Sequence, residues 1–89
     1  MSYHVEFTET ARRELKKLDR YMAAMILGWI RKHLEGCADP RQHGKGLTAN
    51  HCGEWRYRIG DYRLLAEIQD NRILILILRV GHRSEIYKQ

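Results

Sequence analysis

The segment EWRYRIGDYRLL, Glu54 to Leu65, carries Arg56, Arg58 and Arg63 around the dipeptide Gly60-Asp61. Glycine followed by aspartate suits a two-residue hairpin turn. That turn sets Ile59 opposite Tyr62, Arg58 opposite Arg63, Tyr57 opposite Leu64 and Arg56 opposite Leu65. Directly opposed residues point to the same side of a sheet. Tyr57, Ile59, Tyr62 and Leu64 therefore share one side, continued by Trp55 and Ala66. Arg56, Arg58 and Arg63 share the other, open side. Like charges set opposite each other weaken a strand pair by roughly 0.2–1 kcal/mol. An anion between them reverses that sign, and planar guanidinium forks match phosphate oxygens. The pattern predicts a phosphate-binding platform.

The C-terminal segment VGHRSEIYKQ adds His82, Arg83 and Tyr87 directly after the last strand, and all three are expected at the end of the open face. Histidine is the side-chain type that changes charge near neutral pH, so His82 is the candidate acid or base. Tyr87 can stack on a nucleobase or donate a hydrogen bond. No pair of carboxylates suited to acid–base work is visible. Cys37, His43, His51 and Cys52 follow no paired-knuckle zinc spacing, so neither a metal nor a cofactor is expected. HGKGLT, from His43 to Thr48, lacks the full phosphate-loop pattern.

These residues need a frame. The chain has 89 residues, enough for one small domain spanning 1–89, and a formal charge of +5 that favours an anionic partner, nucleic acid first. Tyr3, Val5 and Phe7 alternate with polar residues and read as a first strand. Thr8 can cap a helix whose apolar stripe is Ala11, Leu15 and Leu18. Its other faces carry Arg12, Arg13, Lys16, Lys17 and Arg20. A second helix is expected from about Tyr21 to Glu35, with Met22, Met25, Ile26, Trp29, Ile30 and Leu34 on one face and Gly36 as terminator. Gly28 suggests a close helix–helix contact. Residues 37–53, rich in Gly, Asp, Pro, Asn and His, read as loop with a short turn around Leu47.

Three strands follow, at about Glu54–Ile59, Tyr62–Gln69 and Arg72–Val80, with Asp70-Asn71 as a second two-residue turn. ILILILRV is apolar at consecutive positions and belongs in the middle of the sheet. The expected fold is α+β: β-α-α-β-β-β, a helical hairpin on one face of a four-stranded, mainly antiparallel sheet of order 1-4-3-2. Carrying the register across Asp70-Asn71 sets Leu65 opposite Leu76 and Arg63 opposite Leu78. Leu74, Leu76, Leu78 and Val80 would then join Leu65 on the open side, an apolar patch that something should cover. Nothing in MSYHVEFTET resembles a secretory signal, ILILIL is too short to span a bilayer, and the thiols read as reduced. A cytoplasmic protein is expected.

GEWRYRIGDYRLL followed by ILRVGHRSEIY resembles the RelE branch of the RelE/ParE toxin superfamily, over nearly the whole chain. The resemblance implies the toxin of a type II toxin–antitoxin pair, which enters the ribosomal A site and cleaves translating mRNA. It also implies a small antitoxin, RelB-like or similar, that wraps the toxin, and a complex that binds operator DNA through the antitoxin. The family's catalytic positions fall on Arg56, Arg58 and Arg63, on His82 or Arg83, and on Tyr87. Some ribosome-dependent relatives have lysines where Arg56 and Arg58 stand; arginine keeps its proton and cannot act as a base. The 70S ribosome and its RNA would meet Arg12, Arg13, Lys16, Lys17, Arg20 and Lys45, and the antitoxin would cover Leu65, Leu74, Leu76 and Leu78. Two other functions fit the same frame. One is a ParE-like inhibitor of DNA gyrase; the other is an inactive, antitoxin-bound co-repressor subunit.

Overall fold

The computed structural model describes residues 2–46 and 54–86. Tyr87, Leu47, His51 and Cys52 lie outside them. The elements run β1 (His4–Phe7), α1 (Glu9–Lys17), α2 (Arg20–His33), β2 (Lys45–Gly46), β3 (Glu54–Ile59), β4 (Tyr62–Gln69), β5 (Leu74–His82) and α3 (Arg83–Ile86). The sheet order is β1-β5-β4-β3-β2, with β1 parallel to β5 and the other neighbours antiparallel. The expected α+β frame and its order hold, with one strand added at the edge. Lys45–Gly46 pairs with Arg56 and Trp55, in a region that reads as loop. Two residues, one a glycine, carry no alternation from which a strand could be read.

Both long helices begin where side chains satisfy their first amides. The Thr8 hydroxyl accepts from the Ala11 amide at 3.1 Å, and Asp19 accepts from the Met22 amide at 2.9 Å. Gly36, at φ +80°, turns the chain away after α2. The helices lie on the face that carries Tyr57, Ile59, Leu64, Ala66, Ile75, Ile77 and Val80, which form one core with Ala11, Ile26 and Ile30. Two expectations for α2 fail. Met25 is an exposed hydrophobic residue, and Gly28 is exposed, with nothing near the place a Cβ would occupy. The helical stripe is narrower than the count of apolar residues suggests.

The first hairpin has the expected register, Arg58 opposite Arg63 and Ile59 opposite Tyr62, with Gly60 at φ +60°. The second does not. Its connection is a short 3-10 turn at Asp70–Arg72 followed by Ile73 at φ 52°. Gln69 therefore pairs with Leu74 and Glu67 with Leu76, two residues away from the two-residue-turn register. A shift of two keeps every side chain on its face, so Leu74 and Leu76 stay on the open side. Between Leu65 and Ala66 the register then slips by one more, leaving Leu78 as the extra residue of a bulge. Beyond it Val80 faces Leu64 and enters the core, which corrects its placement on the open side.

Helix α1 closes this bulge. Glu14 accepts from the Val80 amide at 2.8 Å and pairs with the Arg79 guanidinium at 2.9 Å, while the Thr8 hydroxyl donates to the Leu78 carbonyl at 3.0 Å. Backbone groups that the short strand β1 cannot reach are thus paired by side chains.

Candidate functional site

The arginine hairpin opens onto a cavity of about 540 Å³ lined by Trp29, His43, Gly44, Lys45, Arg56, Arg58 and Arg63. Two pairs of opposed cations bound it, Arg58 with Arg63 and Lys45 with Arg56. No carboxylate is among the described residues lining it. The arginines differ in how they are held. Arg63 is buried, 8% exposed, and donates to the Gly60 and Tyr62 carbonyls, each at 3.0 Å. Arg58 is exposed, so its charge is free to meet a ligand.

The rim opposite the hairpin comes from the chain after α2, which is fixed to the sheet at several points. Tyr57 is fully buried and donates from its hydroxyl to the Pro40 carbonyl at 2.6 Å. Burial pushes that phenol well above its ordinary range, so it stays a donor. The Trp55 indole donates to the His43 carbonyl at 2.6 Å. Arg41 makes two bonds of 3.0 Å to Asp70, which also accepts from the Tyr3 hydroxyl at 2.7 Å. Gly44, at φ +80°, lies so close to β3 that a Cβ there would collide with the Arg56 carbonyl oxygen. Only glycine meets both demands, the left-handed backbone and the close approach. His43 and Lys45, flanking Gly44, are thereby held at the cavity.

The sequence-predicted residues fall into four groups. Arg56, Arg58, Arg63 and Lys45 come together, and Lys45 is drawn in by the unforeseen strand β2. Arg12, Arg13, Lys16, Lys17 and Arg20 are exposed on and just after α1, which packs mainly against β5 and β1, toward the edge of the sheet away from the cavity. Arg12, Arg13 and Lys16 line a second groove of about 460 Å³ with Phe7 and Glu9. His82 does not join the arginines. It lies opposite Tyr62, on the helix side of the sheet, because the bulge flips the end of β5. Its Nδ1 accepts from the Ser84 amide at 3.1 Å and its ring meets Tyr62 edge-on, centroids 5.6 Å apart. Arg83 is exposed at the start of α3, and its amide donates to the Asp61 carbonyl at 2.8 Å, which ties α3 to the arginine turn.

The leucine row is smaller than expected. Leu65 and Leu74 are buried, 6% and 4% exposed, although both stand outside the main core cluster. Leu76 and Leu78 are partly exposed and present the apolar surface that remains. The residues missed by sequence reasoning are Trp29 and His43. The available signal was His-Gly-Lys-Gly, in which two glycines permit a close backbone approach.

A family model described as "ParE toxin of type II toxin-antitoxin system, parDE" matches residues 5–87. Toxin RelG of Mycobacterium tuberculosis is 39% identical over 89 residues, 100% of each chain. The mRNA interferase toxin RelE of Escherichia coli K12 is 27% identical over 92 residues, 100% of this chain and 94% of that one. The crystal structure of the toxin–antitoxin complex RelBE2 from M. tuberculosis contains a similar chain. It aligns with a TM-score of 0.85 and 38% identity over 96% of this chain and 95% of that chain.

Proposed function

The chain belongs to the RelE/ParE superfamily of type II toxin–antitoxin toxins, in its RelE branch, and from that premise we propose that it is a ribosome-dependent endoribonuclease cleaving translating mRNA in the A site. The observation that carries this reading is the cavity with two opposed cation pairs and no carboxylate on its described lining. RNA brings its own nucleophile, the ribose 2′-OH. Its oxygen bonds to the adjacent phosphorus, the bond from phosphorus to the 5′-oxygen breaks, and a 2′,3′-cyclic phosphate remains. The transition state carries extra negative charge on the phosphoryl oxygens. Arg58 and Arg63 donate to those oxygens, and Arg56 and Lys45 hold the flanking phosphates. Arg83 supports them from α3. Tyr87, outside the described residues, stacks on a base or hydrogen-bonds at the reacting centre. The ribosome aligns the 2′-oxygen for in-line attack. The basic surface of Arg12, Arg13, Lys16, Lys17 and Arg20 meets ribosomal RNA, which makes binding salt-sensitive.

In this reading the protein acts in the cytoplasm and is silenced by a RelB-like antitoxin. The solved relative in complex RelBE2 supports such a partner. Leu76 lies between Glu6 and Glu67, so an amphipathic antitoxin helix would cover Leu76 and Leu78 with its apolar face and place its acidic residues further along the sheet, toward the arginines, and the complex binds operator DNA through the antitoxin. The family model's ParE description favours a second reading, inhibition of DNA gyrase. One experiment separates the two: express the protein alone and map new 5′ ends on cellular mRNA. Cuts in frame with codons are expected. Intact mRNA together with gyrase-linked DNA breaks would overturn the ribonuclease reading in favour of the second.

A further inference from the structure

Arginines stabilise charge but keep their protons, so RNA cleavage in this cavity needs a group that can take one. His82, the candidate from sequence, lies on the other side of the sheet. The histidine among the described residues lining the cavity is His43, whose ring packs on Trp29, another lining residue. We propose that the His43 imidazole is the general base that takes the 2′-OH proton; the inference rests on the ribonuclease reading above.

The geometry holds the ring for this role. Its backbone carbonyl accepts from the Trp55 indole, and Gly44 docks the next residue against β3. The ring packs edge-on against His33, centroids 4.9 Å apart, and against Trp29 at 5.8 Å. Trp29 in turn leans on Tyr57, whose hydroxyl is anchored on Pro40. A base must keep its position through the reaction, and a ring held by aromatic neighbours and a fixed backbone does so. The titratable group against it is His33 from α2, and the charged groups that line the same cavity are Lys45 from β2, Arg56 and Arg58 from β3 and Arg63 from β4. Arg58 and Arg63 attract the scissile phosphate and Lys45 and Arg56 the flanking ones, which brings the adjacent 2′-OH to the ring.

The step balances without any added reagent except water. Neutral imidazole takes the 2′-OH proton as the bond from the 2′-oxygen to phosphorus forms. The bond to the 5′-oxygen breaks, and that oxygen takes a proton from water. The imidazolium returns its proton to the hydroxide left behind, and the ring is neutral again.

Single-turnover cleavage on programmed ribosomes, followed across pH, tests this in the full-length protein. His43→Gln removes the base. His43→Phe keeps an aromatic ring against Trp29 and His33, so it preserves the packing without the nitrogen. Both should cleave roughly 10²- to 10⁴-fold more slowly and lose one ionisation from the wild-type pH profile. Added imidazole should restore part of the rate in His43→Ala. Cleavage by His43→Gln or His43→Phe within about threefold of wild type would overturn the assignment alone and leave the ribonuclease reading standing. So would a slowed variant that keeps the wild-type profile shape, since that marks a structural role. Absence of cleavage by wild type itself would overturn the ribonuclease reading, and this inference with it.

Discussion

The two hairpin turns of the sheet treat charge in opposite ways. At the β3–β4 turn, Arg58 faces Arg63 and Lys45 faces Arg56 a little further along, so cations accumulate. At the β4–β5 turn, Asp70 accepts two bonds from Arg41 and one from Tyr3, so opposite charges and a phenol close on one another. The second turn ties β1, the loop after α2 and the sheet together. The first satisfies part of its own charge internally, through the two carbonyls that Arg63 reaches, while Arg58 stays exposed. The contrast sets a tie between elements at one end of the sheet against the proposed binding surface at the other.

The largest effect expected from this contrast is on activity. Arg58→Ala should reduce cleavage by roughly 10²- to 10³-fold, the ~2.7–4 kcal/mol that one transition-state donor supplies. Its melting temperature should stay level or rise, because the substitution removes a like-charged neighbour. Arg41→Ala should do the reverse, lowering the melting temperature while leaving Arg58 chemistry in place. Parallel growth assays and thermal melts of the two variants check the contrast. An Arg58→Ala protein that stays folded and fully toxic would remove the phosphate platform.

Gly44→Ala should rank next, because it strikes the part that joins the two ends. A Cβ at φ +80° both strains the backbone and meets the Arg56 carbonyl oxygen. Displacing that loop moves His43 and Lys45 from the cavity, so activity should fall by at least tenfold, about 1.4 kcal/mol. Circular dichroism should still show the helices, which Ala11, Ile26 and Ile30 also hold to the core. Gly28→Ala is the control, with open space at its Cβ position and a gain in helix propensity.

The arginine face was legible in the sequence because one turn decided it. Gly60-Asp61 fixes the register, and strict alternation does the rest. The leucine face was legible only in part. The error at Asp70-Asn71 was two residues and left Leu74 and Leu76 on their side; the bulge at Leu78 was one residue and moved Val80 and His82 across. A run of apolar residues such as ILILIL offers no alternation against which a bulge could be noticed. His43 was not legible as a site residue because its place depends on contacts with Trp55, Trp29 and His33, which only the folded chain assembles.

The open face offers a milder test. Leu76→Glu should weaken antitoxin binding by roughly tenfold to a hundredfold, about 1.4–2.7 kcal/mol, through a faster off-rate. Lys17→Glu, on the helix away from the cavity, should change it less. Equal weakening by the two variants in surface-resonance kinetics would move the antitoxin surface off the leucines. Arg63→Ala then distinguishes the arginines from one another. Unlike Arg58→Ala it breaks two hydrogen bonds to turn carbonyls, each worth about 0.5–1.5 kcal/mol, so it should lower both activity and melting temperature.

The smallest effect belongs to the second turn and shows itself through pH. Bonds from Arg41, then from Tyr3, hold the Asp70 carboxyl below its ordinary range. A carboxyl depressed in the folded state binds its proton more readily when unfolded, so the folded state gains wherever the unfolded carboxyl is ionised. That gain is present above the unfolded value, near pH 4, and disappears as pH falls through the lower folded value. Asp70→Asn should therefore melt slightly below wild type at pH 7, and the gap should close as the pH is lowered past about 4. The side chains of Asp70 and Arg41 are 57% and 43% exposed, so solvent and salt screen the pair and the gap should also narrow in high salt. Cleavage by Asp70→Asn, measured at the same protein concentration, should match wild type. A variant that lost activity while keeping its melting temperature would join the two ends of the sheet functionally and break the division between them.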